Sequence, residues 1–433
     1  MKILVIGGGW SGIAAAIEAT KRGATVMLVE ERQYLGGRAR SFVDRTSGDE
    51  IDNGQHVMMG CYHALLNVVR ELGTEHLLER QKSLRVAFAD ASTRVDSLDA
   101  SALPGKYGVG FGLIRLRGMS VFSRLQALRL ALFISFGWAS GKGLTCSEFL
   151  RAHGQTADAV KRFWEPVVLA TINAPLSTAS AELLVVVMRL AFLGPREDSQ
   201  ILIPTVGLSQ LISPFRKWLE DRGGSCTTGT SVETLEIVEG KVRSVQLSND
   251  TSVEVDRVVS CIPQRALHRL LTGSGMNPIR EKPTPSSPII SVYLWYCKQW
   301  MPTDFVAALG TTVQWVFDKH RIKAGLVAVT VSAGYGIVTE NSEDIVALCD
   351  AELRTLFPQM STVVLERGVV IKEKHATPLL TPEMVEERPA TTELTGVASN
   401  LFLAGDWTAT GLPATLEGAA RSGVNASIAA LSL

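Results

Sequence analysis

The chain opens with KILVIGGGWSG at residues 2–12, a short apolar run that ends in glycines. Residues 10–22 then carry Ala and Ile at helical density, and residues 25–29 form a second β-rich run that ends at Glu30. This β-α-β order over about 30 residues is typical of a parallel, doubly wound sheet. The sequence therefore predicts an α/β fold that starts with a Rossmann-like domain.

The glycines form an intact G-x-G-x-x-G pattern at Gly7, Gly9 and Gly12. Such glycines allow a tight turn, the approach of a pyrophosphate to the backbone and close packing of helix on strand. The start of the helix, at Ser11, adds free N–H groups and a partial positive charge. Glu30 stands where a carboxylate accepts hydrogen bonds from ribose hydroxyls and repels a 2′-phosphate. We therefore predict a site for NAD or FAD rather than for NADP.

The composition narrows the possible functions. Among 433 residues, 43 Lys and Arg balance 43 Asp and Glu, so no global field attracts nucleic acid. The six cysteines form no C-x-x-C pair and the histidines lack ligand spacing, so we expect neither disulfides nor a metal site. No G-x-S-x-G elbow of a serine hydrolase occurs. No signal peptide and no bilayer-spanning run is recognised, so a cytoplasmic location is expected.

The rest of the chain alternates strands and helices. A helix is predicted over residues 209–222, a strand meander over 232–260, and a final helix from about residue 413. Segment 286–375 alternates strands with one helix, which suggests a second domain built on an antiparallel sheet.

Four further stretches carry a family resemblance. They are LGGRARS at residues 35–41, IDNGQH at 51–56, LAGD at 403–406 and GLPATLEGAARSG at 411–423. Together with VIGGGWSG at 5–12, they resemble the flavin amine oxidase and phytoene desaturase superfamily, in matching order at both ends of the chain. The resemblance also includes IPTVGLSQL at 203–211 and the strand near Val232, so it spans the whole chain.

This resemblance implies FAD as the cofactor and a discontinuous architecture. Residues 1–90, 200–285 and 376–433 would form the Rossmann-like FAD-binding domain, and residues 91–199 and 286–375 an α+β substrate domain. Arg38 would serve the pyrophosphate, Asp406 the ribityl or pyrophosphate part, and the last helix would point its N-terminus at the flavin. The implied FAD contacts are Gly7, Gly9, Ser11, Gly12, Glu30, Glu31, Gly37, Arg38, Gly54, Gln55, Val232, Gly405, Asp406 and Leu416.

Within the superfamily, DNGQH at 52–56 followed by GCY at 60–62 most resembles the squalene-associated branch, the bacterial hydroxysqualene dehydroxylases. That branch implies a hydrophobic isoprenoid substrate whose allylic hydroxyl is replaced by hydrogen with reduced FAD. Loss of the protonated hydroxyl leaves a delocalised cation that a hydride can quench, so the protein must supply a dry tunnel and a proton. We take Asp52 and His56 as the candidate proton donors. Tunnel candidates are Trp295, Trp300 and Trp315.

Two other functions stay open. A desaturase or oxidase of a carotenoid-like polyene would run the flavin in the opposite direction, and it would need no external reductant. A non-catalytic prenyl-lipid carrier is disfavoured because the FAD motifs are complete at both ends. No second dinucleotide fingerprint identifies the external electron donor that the first function requires.

Residues 100–147 contain no Asp or Glu, yet six Lys and Arg stand among many apolar side chains. Such a stretch is typical of a helix that lies on anionic lipid. The alternative is a buried core helix with arginines on its outer side. Residues 107–138 are therefore a candidate peripheral contact with the inner face of the cell membrane.

Overall fold

The computed structural model describes residues 1–92, 95–103, 105–277, 284–394 and 396–432. The strands are β1 (Lys2–Ile6), β2 (Thr25–Glu30), β3 (Ser41–Val43), β4 (Glu50–Asp52), β5 (Met58–Met59), β6 (Leu78–Arg80), β7 (Arg85–Ala89), β8 (Val95–Asp99), β9 (Ile201–Pro204), β10 (Ser225–Thr228), β11 (Val232–Val238), β12 (Lys241–Leu247), β13 (Ser252–Glu254), β14 (Arg257–Ser260), β15 (Ser286–Tyr296), β16 (Phe305–Ala308), β17 (Trp315–Asp318), β18 (Leu326–Ser332), β19 (Leu365–Pro378) and β20 (Leu401–Leu403).

The α-helices are α1 (Trp10–Lys21), α2 (His63–Glu71), α3 (Gly105–Arg115), α4 (Val121–Ser135), α5 (Cys146–Ala152), α6 (Ala157–Ala159), α7 (Glu165–Ile172), α8 (Ala181–Val187), α9 (Arg196–Ser199), α10 (Phe215–Glu220), α11 (Gln264–Gly273), α12 (Ser342–Leu356), α13 (Pro382–Glu386) and α14 (Leu416–Ser432). Short 3₁₀ turns cover Glu75–Leu77, Leu208–Ile212 and Pro358–Thr362, and π-helical turns cover Val160–Trp164 and Met188–Phe192.

A parallel five-stranded sheet in the order β10-β2-β1-β14-β20 forms the first layer. The apolar run Ile3 to Ile6 is buried on both faces, as is typical of a parallel strand that is covered on both sides. Helix α1 packs against one face together with α14. The predicted α/β fold with a Rossmann-like β-α-β start is confirmed.

A second, seven-stranded sheet has the order β19-β15-β18-β17-β16-β7-β8. Its pairs are antiparallel except for β16 with β7. The expected domain boundaries at residues 90 and 375 fall inside this sheet, one in the β7–β8 connection and one within β19. Backbone pairing therefore assigns 85–89 and 376–378 to the second sheet, because turn chemistry alone does not reveal which sheet a hairpin joins.

Helices α3 to α8 cover one face of this second sheet and share one apolar core with it. That core contains Trp295 and is bordered by Trp315, whereas Trp300 lies in the core on the opposite face. Of the three expected tunnel tryptophans, two therefore share a face. Trp300 does not, because it follows the end of β15 and packs in the core that also contains α12.

Two element predictions need correction. The helix expected over 209–222 is broken between the 3₁₀ turn Leu208–Ile212 and α10, because Pro214 lacks an N–H group and disrupts a continuing helix. The meander expected over 232–260 ends at β13, and β14 joins the parallel sheet instead, beside β1. Within the described ranges, no helix combines the length and the apolar character that crossing a bilayer requires.

Candidate functional site

The glycine-rich turn between β1 and α1 has the geometry of an anion cradle. A Cβ atom on Gly12 would lie 1.9 Å from the carbonyl oxygen of Gly7, so this close approach requires glycine. Gly9 is the N-cap of α1, provides no side-chain cap, and has no atom within 4 Å of the place where its Cβ would stand. The first N–H groups of α1 thus face open space that a pyrophosphate would fill.

Glu30 ends β2 beside this turn. Its carboxylate accepts hydrogen bonds from the N–H groups of Gly8, at 2.6 Å, and Arg32, at 2.9 Å. A carboxylate has about four acceptor positions, so two remain for ribose hydroxyls. Glu31 next to it is exposed, with its carboxylate 3.9 Å from Arg32. The N–H of Thr230 donates to the Glu30 carbonyl, which brings the start of β11, at Val232, to the same edge.

The second glycine loop lies directly on the first. The N–H of Gly36 donates to the carbonyl of Gly8 at 2.9 Å, and Gly37 stands beside Gly9. This contact brings the next residue, Arg38, close to the anion cradle in the chain, and its guanidinium donates to the Ala376 carbonyl. A guanidinium at that position can bind phosphate oxygens with paired hydrogen bonds.

Arg38 also joins the two ends of the chain. Its guanidinium nitrogen lies 2.6 Å from a carboxylate oxygen of Asp406, which follows β20 and Gly405. Burial is the largest effect on the pKa of Arg38 and lowers it, but Asp406 and Glu373 together raise the pKa above its ordinary value, so the side chain stays charged. The two predicted cofactor motifs therefore meet in one site.

Helix α14 holds this arrangement against α1. A Cβ on Gly423 would lie 2.0 Å from the Ser11 carbonyl oxygen, and the Ser427 hydroxyl donates to the Ala15 carbonyl at 2.8 Å. Leu416, the first residue of α14, is partly buried against the core beneath α1. The small side chains of the closing motif thus allow the two helices to approach closely.

Two polar residues of the closing region had no role assigned from sequence. The Glu417 carboxylate accepts the N–H groups of Ala64 and Leu65 at the start of α2, at 3.2 and 3.0 Å. The Ser422 hydroxyl accepts the N–H of Gly405 at 2.7 Å. Both lie inside GLPATLEGAARSG, so the motif itself was the available signal.

Arg388 is a buried cation that sequence reasoning missed. It donates to the carbonyl oxygens of Leu412, at 2.6 Å, and Asp406, at 2.8 Å, while its Nε has no partner among the described residues. Burial lowers the pKa of Arg388 to about 10, and Asp406 opposes this shift. Arg388 therefore fixes the loop between Asp406 and α14, and it stands outside every sequence motif.

Asp52 lies at the junction of three elements. Its carboxylate accepts the Ser41 hydroxyl at 2.7 Å and the Leu208 N–H at 3.0 Å, and it lies 3.8 Å from the Lys319 ammonium. The Tyr293 hydroxyl donates to the Asp52 carbonyl at 2.9 Å and accepts the side-chain amide of Gln55. Asp52 and Gln55 are thus brought together with Tyr293 of β15 and Lys319 of the β17–β18 turn.

The charges in this cluster are shifted by its surroundings. Burial lowers the pKa of His56 to about 4, with Asp52 raising it and Arg38 lowering it, so the imidazole is neutral near pH 7. Burial also lowers the pKa of Lys319, although Asp52 opposes this. Gly54 backs onto β15, where its Cβ would lie 3.5 Å from the Ser291 hydroxyl. Sequence offered no signal for Tyr293 beyond its position in a buried strand, and none for Lys319, which follows β17 in a turn.

A small apolar pocket of about 40 Å³ lies beside the closing motif. Its walls come from the residues just before α2, from α7, from the 181–192 helical segment and from the closing motif. Residues that line it include Met59, Tyr62, Val187, Leu190, Leu412 and Pro413. No group of three or more metal-ligating side chains is found within the described part of the chain. The features at hand are an anion cradle, a buried polar cluster and an apolar pocket.

The chain is similar to known proteins over almost its whole length. The family model described as flavin containing amine oxidoreductase matches residues 10–431. The chain is 29% identical to the hydroxysqualene dehydroxylase of Sinorhizobium fredii, over 99% of this chain and 98% of that protein. It is 30% identical to the hydroxysqualene dehydroxylase of Rhodopseudomonas palustris, over 97% and 96% of the two chains.

Proteins of lower sequence identity to this chain include other oxidoreductases. The zeta-carotene desaturase of Synechocystis is 24% identical, over 100% of this chain and 97% of that protein. The solved structure of cyclohexylamine oxidase from Brevibacterium oxydans has a TM-score of 0.70 and 16% identity, over 100% of this chain and 98% of that chain. The latter likeness shows the shared fold.

Proposed function

Since this chain belongs to the family of flavin-containing amine oxidoreductases and is an FAD-dependent oxidoreductase, we propose that it converts hydroxysqualene to squalene. The observation that carries the proposal is the similarity to hydroxysqualene dehydroxylases over nearly the whole chain. The similarity to a zeta-carotene desaturase is weaker, which makes polyene desaturation the second candidate.

The proposed reaction consumes one proton and one hydride. The allylic C–O bond of hydroxysqualene breaks as its oxygen takes a proton and leaves as water. A hydride then forms the new C–H bond and gives squalene. Reduced FAD supplies this hydride when it is bound, and an external donor must reduce the flavin again after each turnover.

The residues of the site fit such a cofactor. The open N-terminus of α1 accepts the pyrophosphate, Glu30 retains acceptor positions for ribose, and the Arg38 guanidinium supplies positive charge at the same place. Gln55, Gly54 and the start of α14 at Leu416 are proposed to lie along the flavin. The apolar residues that line the pocket are proposed to form part of a dry wall beside the isoprenoid cation, because water would otherwise react with the cation.

The proton is the contribution that the chain itself must make. Its candidate holders are Asp52, His56 and Lys319. Asp52 is already an acceptor for a hydroxyl and a backbone N–H, and His56 carries no extra proton near pH 7. We propose that the Lys319 ammonium donates the proton, because its lowered pKa makes it a stronger acid. Asp52, 3.8 Å away, is then its positioning residue. Neutral His56 lines the site without donating the proton.

An anaerobic half-reaction tests the proposal. The purified holoenzyme is reduced with dithionite, mixed with hydroxysqualene, and followed by flavin absorbance and product analysis. We expect flavin reoxidation with an equal amount of squalene. A flavin that stays reduced would contradict the proposal, and bleaching of the oxidised flavin by a polyene would establish the desaturase instead. A protein that takes up no FAD would favour the lipid carrier.

A further inference from the structure

The outer surface of α3 and α4 is apolar, although both helices face solvent. We call it the α3–α4 face, and it is made up of Tyr107, Phe122, Leu125, Leu132, Phe136 and Trp138. Tyr107, Phe122, Phe136 and Trp138 are each 61 to 71% exposed. Val121, Leu125, Leu132 and Phe136 recur at positions i, i+4, i+11 and i+15, so they follow one side of α4. The opposite side of α4, with Ala127, Leu130 and Ile134, is buried in the core.

The face is surrounded by cations that form no ion pair in the part of the chain that the structure describes. The ion pairs nearby join Arg162 to Asp90 and Asp158. Two carboxylates at the α3–α4 turn, Asp96 and Asp158, accept the backbone N–H groups of Gly118 and Ser120. Within the described residues, no ion pair includes the six cations of the acid-free stretch. These cations are Lys106, Arg115, Arg117, Arg124, Arg129 and Lys142.

Several of these cations lie over apolar rings rather than over acids. Arg115 lies 5.5 Å from the ring centre of Phe111, Arg129 lies 5.6 Å from that of Phe133, and Lys106 lies 5.8 Å from that of Tyr107. Their stems thus extend along the apolar surface, and the Arg129 guanidinium also donates to the His153 carbonyl at 2.8 Å. Because the chain has no net charge, this positive region is local rather than a property of the whole molecule.

The end of α4 lies close to one wall of the apolar pocket. The guanidinium of Arg189 donates to the Ile134 carbonyl at 3.2 Å and lies beside Gly137, which ties the Met188–Phe192 turn to the end of α4. The next residue, Leu190, is 39% exposed and lines the pocket. Arg189 therefore holds Leu190, at the pocket wall, close to the end of α4.

We propose that the α3–α4 face docks on a bilayer surface that contains anionic phospholipid. Exposed aromatic and aliphatic side chains enter the acyl boundary, and the unpaired cations contact lipid phosphates. Docking places Leu190 and the pocket next to the membrane. If the proposed function holds, an apolar substrate enters from the bilayer without crossing water. The docking itself does not depend on that function.

Vesicle sedimentation with the FAD-loaded protein, without substrate, tests the docking. Vesicles of phosphatidylcholine alone are compared with vesicles that also contain phosphatidylglycerol, at low and high salt. We expect binding to the anionic vesicles that weakens as salt rises. The double variant Leu125→Gln/Phe136→Gln should bind at least tenfold less, and Arg117→Gln about fivefold less.

Matched controls come from other surfaces of the same chain. Val364→Gln removes a side chain that is as exposed as Phe136, and Lys241→Gln removes an exposed cation, so both should bind like the wild type. Trp138 provides a second readout, since vesicles should shift the tryptophan emission to the blue and Trp138→Phe should lose most of that shift.

Three results would overturn the proposal. The first is equal binding to neutral and anionic vesicles, or none to either. The second is a double variant that binds like the wild type while retaining its FAD spectrum. The third is a dimer in solution that the double variant dissociates, which would assign the face to a second copy of the chain. Dithionite half-reactions on the same samples report separately on the proposed function.

Discussion

Arg38 and Asp406 are 368 residues apart in the sequence, and their side chains lie 2.6 Å apart in the structure. Arg38 follows the second glycine loop and Asp406 follows the last strand of the parallel sheet, so this ion pair joins both cofactor motifs. Asp406 also receives, through its carbonyl, a hydrogen bond from the buried Arg388. The closing region is thus held from two sides at the place where a pyrophosphate would meet positive charge.

Replacing Arg38 should weaken FAD binding. A charge-assisted hydrogen bond contributes about 1.5–3 kcal/mol, so Arg38→Met should raise the Kd for FAD by about 10- to 100-fold. Flavin fluorescence titration of the apoprotein measures this change. Arg45→Met, an exposed residue of the β3–β4 hairpin, is the matched control and should leave the Kd unchanged. Equal affinity in both variants would remove Arg38 from the site.

Two glycine substitutions should have different effects. Gly12→Ala places a Cβ against the Gly7 carbonyl and should lower the free energy of unfolding by about 3 kcal/mol or more. Gly9→Ala meets no protein atom within 4 Å, so it should fold normally but fill the space of the pyrophosphate. Urea denaturation of the apoprotein measures the stability of each variant, and FAD titration measures its affinity for the cofactor. Normal FAD affinity in Gly9→Ala would contradict the anion cradle.

Lys319 should matter for chemistry more than for binding. Lys319→Gln keeps a donor to Asp52 but has no ionisable proton, so the anaerobic reoxidation rate should fall by about 100-fold. The bound-flavin spectrum should stay normal. His56→Ala is the comparison, and its rate should change little because His56 is neutral near pH 7. If His56→Ala is slow and Lys319→Gln is fast, the proton assignment is reversed.

His56 should also influence stability in acid. Its pKa is lowered from the ordinary value of 6.5 to about 4, so the unfolded chain binds more protons between those values. Its contribution to stability is therefore complete above about pH 6.5 and is lost as the pH falls toward 4. Urea midpoints measured across this range should decrease more steeply for the wild type than for His56→Gln. Parallel curves would show that His56 keeps an ordinary pKa when folded.

The start of the fold and the class of cofactor could be predicted from residues 2–41 and 403–423. The strand, glycine turn, helix and acidic strand end of residues 2–30 are local patterns, and local patterns follow from side-chain periodicity and backbone freedom. The matching motifs at 35–41 and 403–423 then indicated one family over the whole chain. Glu417 and Ser422 belong to the motif at 411–423, but the motif does not predict which backbone N–H groups their side chains bind.

The contacts between distant residues follow from packing and could not be predicted from the sequence. Tyr293 and Lys319 reach Asp52 because the second sheet packs on the β3–β4 hairpin, and no local pattern records a contact across more than 240 residues. Likewise, α4 is apolar on all sides, so its sequence leaves the choice between core and membrane surface open. Its neighbours bury Leu130 and leave Leu125 and Phe136 exposed, because the face of a helix that enters the core is fixed by what packs against it.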